Sequence, residues 1–228
     1  ENRDRPFFLY LPHAMPGSTD RPFASPKFRG RSANGPYGDA IEEMDWSLGE
    51  ILRALDEEGI ADRTLVVWTS DNGAVEQDPP QGSNAPLKGW GYDTSEGSMR
   101  MPCLMRWPGR IPAGAIVRPV ATMMDILPTC VRLAGAELPP ERPVDGYDLS
   151  PLLLGTGGTG SPYDETGFFS YFIDQLQAVR SGRWKLHLPL DAKKISLSGA
   201  AAPAPAALYD LEADVAEERE VSDEHPGV

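Results

Sequence analysis

The chain has 228 residues, of which 40% are hydrophobic and 24% charged, proportions that are ordinary for a globular protein with a substantial core. Its 34 acidic and 21 basic residues give a formal charge of −13, which argues against binding to nucleic-acid phosphates. An anionic small substrate is not excluded, because one lysine or metal ion can reverse the charge inside a cleft. No stretch approaches the ~18 apolar residues of a membrane span.

The first part of the chain predicts an alternation of strands and helices. Pro6–Leu11 is a short apolar and aromatic run, which predicts a buried strand. Apolar residues between Ile41 and Leu55 recur at three- and four-residue spacing, which predicts a helix that starts near Pro36 and stops at Gly59. The apolar, β-branched run Thr64–Ser70 predicts a second interior strand.

A long loop comes next, over residues 73–100, and an ordered loop of that length is usually functional. Pro102–Trp107 predicts a third strand. Asp125 predicts the cap of a helix that runs to Ala134, with Gly135 as its stop. This order of elements predicts an α/β domain over residues 1–155, in which helices cover a sheet.

The composition changes at the glycine-rich segment Gly155–Gly160, which predicts a linker. Beyond it, Ala178–Leu188 predicts a hairpin that turns at Ser181 and Gly182, and Ala207–Leu211 predicts a further strand. The Ala- and Pro-rich stretch Ser198–Ala206 predicts a mobile excursion. We therefore expect a small antiparallel subdomain over residues 156–228.

The two cysteines, Cys103 and Cys130, form neither a disulfide framework nor a zinc-ligand cluster. A single bridge between them is compatible with the sequence. Both lie in apolar surroundings, which favours two separately buried thiols.

Asp71, Asn72 and Gly73 directly follow the second predicted strand. Ligands of open α/β sheets collect at the carboxyl ends of strands, and side-chain oxygens are the ligands that Ca²⁺ and Mg²⁺ prefer. Both side chains can reach one ion only if the backbone turns there, which Gly73 would permit. The alternative is a turn that merely ends the strand.

Five other polar residues are candidates for chemistry or for structure. Lys88, in the long loop, is either an anion contact or a solvated surface lysine. His13 follows the first predicted strand and either donates a hydrogen bond to an oxyanion or a leaving group or is ordered only by local packing. Glu96 is expected to secure the long loop by hydrogen bonding, His187 to be structural and His225 to be exposed.

These segments, in order, resemble the sulfatase (arylsulfatase-like) family of the alkaline-phosphatase superfamily. The resemblance spans nearly the whole chain, and it rests on the succession of the pieces rather than on any one of them. The matching pieces are Pro6–His13, Ile41–Asp45, Thr64–Gly73, Leu87–Gly89, Glu96–Pro102, Arg106–Gly109, Asp125–Thr129 and Leu208–Leu211.

The resemblance implies an alkaline-phosphatase-like mixed sheet and hydrolysis of a sulfate ester, either a small molecule or a sulfated glycan. It also implies a formylglycine nucleophile beside a divalent cation, usually Ca²⁺, and a periplasmic or extracellular location. Asp71 and Asn72 would be two ligands of the cation, and Lys88 would contact the sulfate. Two rival functions are a phosphate or phosphonate ester hydrolase with the same metal framework and a non-catalytic protein that binds sulfated glycans.

The sequence departs from the family pattern in two ways. The Cys/Ser-x-Pro-x-Arg nucleophile motif and an early pair of aspartates are absent, and in the family both lie upstream of the segment that opens this chain. We therefore expect a truncated sequence that lacks the nucleophile segment. The family's sulfate-facing histidine has no counterpart between Pro16 and Pro22, so His13 is the candidate for that role.

Overall fold

A computed structural model describes residues 5–17, 19–78, 81–157, 160–190 and 205–228. Short 3₁₀ turns precede β1 and α3 and follow β6, and no described helix has the length and apolar character needed to cross a membrane. The helices are α1 (Gly35–Glu57), α2 (Glu96–Met99), α3 (Ile126–Leu133), α4 (Ser150–Leu153) and α5 (Tyr163–Thr166). The strands are β1 (Val66–Thr69), β2 (Cys103–Arg106), β3 (Phe168–Phe172), β4 (Gln175–Ser181), β5 (Trp184–His187) and β6 (Ala207–Asp210).

Helix α1 confirms the prediction from apolar spacing. It starts with a proline in its first turn and ends just before Gly59, whose φ of +65° suits glycine and reverses the chain. The reversal brings the 3₁₀ turn at Ala61–Arg63 back against the helix. A small core results, in which Leu55, Ile60 and Ala61 are buried and Ile51 and Val66 pack against them.

Strands β1 and β2 form an antiparallel pair, with Thr69 opposite Cys103 and Val66 opposite Arg106. Because side chains alternate along a strand, Val66 faces the α1 core while its neighbours on the other face line a cavity of about 130 Å³ against α3. The pair therefore separates two helical layers. The α/β fold class is confirmed.

The cysteines are both free, and both line the cavity between the β1–β2 pair and α3. Cys130 is half-buried, but Cys103 is exposed, so the prediction of two buried thiols is wrong for Cys103. The reason is its place on β2, which pairs only with β1 among the strands that the structure describes.

The predicted buried strand Pro6–Leu11 is wrong for this structure. The segment forms no strand, and the exposed fractions of Phe8 and Tyr10 are 80% and 77%. An apolar run becomes a buried strand only beside partners that accept its backbone hydrogen bonds, and no strand in the described ranges pairs with it.

Asp125 was predicted to cap α3, but its side chain makes no cap hydrogen bond to that helix. The fully buried carboxylate instead accepts hydrogen bonds from Thr122 N (2.6 Å), Tyr147 N (2.7 Å) and the Tyr163 hydroxyl (2.8 Å). Burial and this contact raise the pKa of Tyr163 to about 12. Asp125 therefore joins the start of α3 to α5 and to the chain that precedes α4.

The C-terminal part contains an antiparallel sheet in the order β3–β4–β5–β6, as expected for the small subdomain. Ser181 pairs with Trp184 across a turn in which Gly182 has a φ of +54°, so the predicted hairpin is confirmed. Strand β3 was not predicted. The excursion predicted over Ser198–Ala206 falls largely outside the described residues, and the domain boundary at residue 155 stays a prediction.

Candidate active site

The end of β1 carries the two predicted cation ligands. Asp71 is exposed, and its Oδ1 accepts hydrogen bonds from Asn72 N (3.0 Å) and the Ser70 hydroxyl (3.3 Å). The Asn72 amide nitrogen donates to the carbonyl of Gly73 (2.9 Å), which leaves the Asn72 side-chain oxygen available as a ligand. The local hydrogen bonds therefore orient two side chains that can offer oxygen ligands to a cation at the carboxyl end of the strand.

Gly73 has a role different from the predicted one. Its φ is not in the left-handed region, so it is not needed for a special turn. It is needed because the chain passes against α2: Gly73 N donates to Ser98 O (2.8 Å), and a Cβ at Gly73 would lie 1.7 Å from the carbonyl oxygen of Gly97. Only glycine fits this backbone-to-backbone contact.

Asn84, which the sequence did not single out, fastens the strand end to the long loop. Its side-chain oxygen accepts from Ala74 N (2.7 Å), and its amide donates to Ala74 O (2.9 Å) and Gly89 O (3.0 Å). Gly91 N adds a hydrogen bond to Ala74 O (2.7 Å). The segment after Asn72 and the loop that carries Lys88 thus form one backbone-bonded unit.

Lys88 extends from this unit to the C-terminal segment. Its ammonium group donates to the carbonyl of Glu217 (3.0 Å) and lies 5.4 Å from the centroid of the Tyr209 ring. The residue as a whole remains exposed. The ammonium group of Lys88 is thus held in place while the residue remains exposed to solvent. Such a lysine can contact an anionic group of a substrate.

Buried charges join α2 to the C-terminal sheet. Lys185 is 2% exposed, and its ammonium nitrogen lies 3.1 Å from a Glu96 oxygen and 3.0 Å from a Glu217 oxygen. The other Glu96 oxygen pairs with Arg180 at 2.9 Å, and Glu96 N donates to Glu217 (2.8 Å). Glu96 therefore secures the long loop, as predicted, but its partners lie about ninety residues further along the chain.

Glu217 is buried in this network and also accepts a hydrogen bond from His187 (2.7 Å), which gives that histidine the structural role predicted for it. Burial alone would raise the pKa of Glu217. The hydrogen bond from His187 and the charge of Lys185 outweigh it, and together they lower the pKa from 4.5 to about 2.

We expect the stability that Glu217 contributes to depend on pH. A carboxylate with a lowered pKa stabilises the folded state above about pH 4.5, and this contribution is lost as the pH falls towards about 2. The Glu217→Gln variant should therefore have a lower free energy of unfolding in urea than wild type, by about 3 kcal/mol at pH 7 and by progressively less below pH 4.5. Glu218→Gln changes the exposed neighbouring residue and serves as the control. If the difference in unfolding free energy between Glu217→Gln and wild type were the same at pH 3 and pH 7, the assignment would be contradicted.

The other two histidines lie apart from this network. His13 is exposed in the extended segment that follows residues 6–11, and no hydrogen bond or ion pair places it beside Asp71, Asn72 or Lys88 among the described residues. His225 is exposed, as predicted, with its ring 4.7 Å from that of Trp184.

The donor set at the end of β1 fits part of a hard-cation site. Asp71 and Asn72 offer oxygen ligands of the type that Ca²⁺ and Mg²⁺ take, and the local hydrogen bonds leave their outer oxygens available. Ca²⁺ takes six to eight ligands, and the ranges that the structure covers contain no cluster of three or more His, Cys, Asp or Glu residues. Further ligands would be needed to complete such a site.

The fold indicates the class of protein. A solved structure with a similar fold is the PsFucS1 sulfatase from Pseudoalteromonas sp., with a TM-score of 0.76 and 28% identity over 88% of this chain and 41% of that one. The architecture is that of the alkaline-phosphatase superfamily, as the resemblance implied.

Two family models match overlapping parts of the chain: Sulfatase over residues 1–136, and N-sulphoglucosamine sulphohydrolase, C-terminal, over residues 89–226. Mouse (Mus musculus) steryl-sulfatase is 45% identical over 194 residues, which cover 81% of this chain and 30% of that protein. Human (Homo sapiens) arylsulfatase A is 37% identical over 231 residues, which cover 95% of this chain and 44% of that protein. The chain belongs to the sulfatase family, and it spans less than half the length of these curated relatives.

Proposed function

We propose that the protein containing this chain hydrolyses sulfate esters and that the chain supplies part of the active site. The observation that carries the proposal is the unit formed by the strand end and the long loop. Asn84 and the close approach of Gly73 to Gly97 hold Asp71, Asn72 and the Lys88 loop together, so that the candidate ligand oxygens and the Lys88 ammonium group belong to one hydrogen-bonded unit. Rigid placement of such groups is what electrostatic catalysis requires.

Within the proposed site, each residue would have a distinct role. Asp71 and Asn72 would hold a divalent cation, Ca²⁺ or Mg²⁺, which when bound would screen the nucleophile and polarise the sulfuryl oxygens. Lys88 would contact the sulfate group of a small sulfate ester or a sulfated glycan. His13 is the candidate donor to the leaving group. The formylglycine nucleophile would come from polypeptide outside this chain.

The alanine variant of Asp71 tests the proposal. In the protein extended at its N-terminus, Asp71→Ala should lower kcat/KM for an aryl sulfate by at least about a hundredfold, and calcium affinity by about tenfold or more in calorimetry. Asp78→Ala changes an exposed acidic residue of the same loop and should alter neither value. Equal activity in the two variants would refute the assignment.

The substrate class is tested by paired substrates. A sulfatase should hydrolyse an aryl sulfate faster than the matching phosphate monoester or phosphonate, and the reverse ratio would favour a phosphate or phosphonate ester hydrolase. Binding of a sulfated glycan without hydrolysis of any sulfate ester would favour a non-catalytic role. For location, we propose the periplasm or the extracellular space, from the family resemblance.

A further inference from the structure

The C-terminal segment contacts the Lys88 side chain at two points. The carbonyl of Glu217 accepts the hydrogen bond from the Lys88 ammonium group, and the ring of Tyr209 lies beside it. Both contacts come from the same stretch of chain, which follows β5 and lies some 120 to 130 residues beyond Lys88. The direction of the lysine tip therefore depends on the conformation of this stretch.

Glu217 has an unusual backbone conformation. Its φ is +54°, a region that residues other than glycine, asparagine and aspartate rarely adopt and that costs about 1 kcal/mol or more. This conformation sets the direction in which its carbonyl points. The turn is fixed on its other side by Asp214, whose carboxylate accepts from Glu218 N and Arg219 N at 2.7 Å each.

The side chain of Glu217 explains why this conformation persists. It is 1% exposed, and its carboxylate is shared by Lys185, His187 and the backbone N–H of Glu96. The last contact holds α2, where Gly97 N donates to the carbonyl of Lys88 (2.7 Å). Glu217 thus fixes Lys88 twice, at the ammonium group through its own carbonyl and at the backbone through α2.

We propose that Glu217 is a positioning residue for Lys88, holding the lysine in the orientation that contacts the sulfate. The role of Lys88 as the sulfate contact rests on the proposed function. The contacts between Glu217 and Lys88 do not depend on it. A purely structural residue would affect substrate binding whether or not Lys88 is present. A residue that acts through Lys88 would lose its effect once the lysine is removed.

A double-mutant cycle tests this difference. In the protein extended at its N-terminus, Glu217→Gln should raise the Kd for inorganic sulfate, and the KM for an aryl sulfate, by about tenfold, with a smaller change in kcat. In the Lys88→Ala background the same substitution should change both by less than about twofold. Equal effects in the two backgrounds, or no effect in wild type, would overturn the proposal.

Labelling of amines gives a readout that needs no sulfatase activity. The rate at which acetic anhydride modifies Lys88, followed by peptide mass spectrometry, should rise about threefold or more in Glu217→Gln, while exposed Lys27 serves as an internal reference. If Glu217→Gln does not fold, Asp214→Ala removes two hydrogen bonds from the same turn while keeping every member of the buried ion pairs, and it should raise the rate as well. An unchanged rate in a folded variant would overturn the positioning role, whereas faster labelling without sulfate-ester hydrolysis would retain it and refute the proposed function.

Discussion

Replacing Lys185 by Met is expected to lower the free energy of unfolding by about 3 to 5 kcal/mol, because it leaves buried carboxylates without their shared cation. Lys185 lies between Glu96 and Glu217, and all three side chains are nearly inaccessible to water. Met has a similar length and fills the space, so the loss reports on charge rather than on a cavity. Urea unfolding followed by tryptophan fluorescence measures it, since Trp184 is the neighbouring residue.

Two further variants make this expectation specific. Arg219→Met removes an exposed ion pair with Glu224 in the same part of the chain and should hardly change the unfolding midpoint. Adding Glu217→Gln to Lys185→Met removes one of the two carboxylate charges that have lost Lys185 as their partner, and it should restore part of the lost stability. A cost below about 1 kcal/mol for Lys185→Met would mean that water or protonation compensates the carboxylates.

The sequence predicts those elements whose signals are local. The apolar spacing of Ile41 to Leu55 reports a helix face, and Gly59 reports its end, because both follow from the geometry of a helix alone. The β4–β5 hairpin is similarly local, since its turn at Gly182 joins strands that are adjacent in sequence. The order of these elements was enough to predict the α/β class.

Burial could not be predicted from the same signals. The run Phe7–Leu11 is as apolar as β1, yet it is exposed, because burial depends on neighbouring strands that a local pattern does not contain. Lys185 shows the converse. A lysine between Trp184 and Leu186 in a hairpin would be expected on the solvent face. Lys185 is instead buried between Glu96 and Glu217, and neither partner can be identified from the sequence around residue 185.

The same distinction between local and long-range signals applies to the residues of the candidate site. Asp71 and Asn72 could be selected because they follow a strand directly, and Lys88 because it lies in a long loop. Asn84 and Glu217 could not be selected, since their importance comes from backbone groups that reach them through the fold. Gly73 was selected for the wrong reason: its small size matters for the approach of α2, which no pattern around residue 73 reveals.

Gly73→Ala is the variant expected to damage the site most directly. The added Cβ would lie 1.7 Å from the carbonyl oxygen of Gly97, and since both partners are backbone, relief requires the strand end and α2 to separate. Overpacking of this kind costs about 3 kcal/mol or more. It would also displace Asn72 and the loop with Lys88, so we expect kcat/KM for an aryl sulfate in the extended protein to fall by more than about a hundredfold.

Gly49→Ala is the matched control, because it makes the same chemical change where nothing lies within 4 Å of the new Cβ. Gly49 is in the middle of α1, where alanine is the better helix former, and the variant should be more stable by about 0.5 to 1 kcal/mol. Thermal unfolding and aryl sulfate hydrolysis measured on both variants separate the two effects. If Gly73→Ala kept wild-type stability and activity, the close contact between the strand end and α2 would not be what holds the ligand pair and the lysine together.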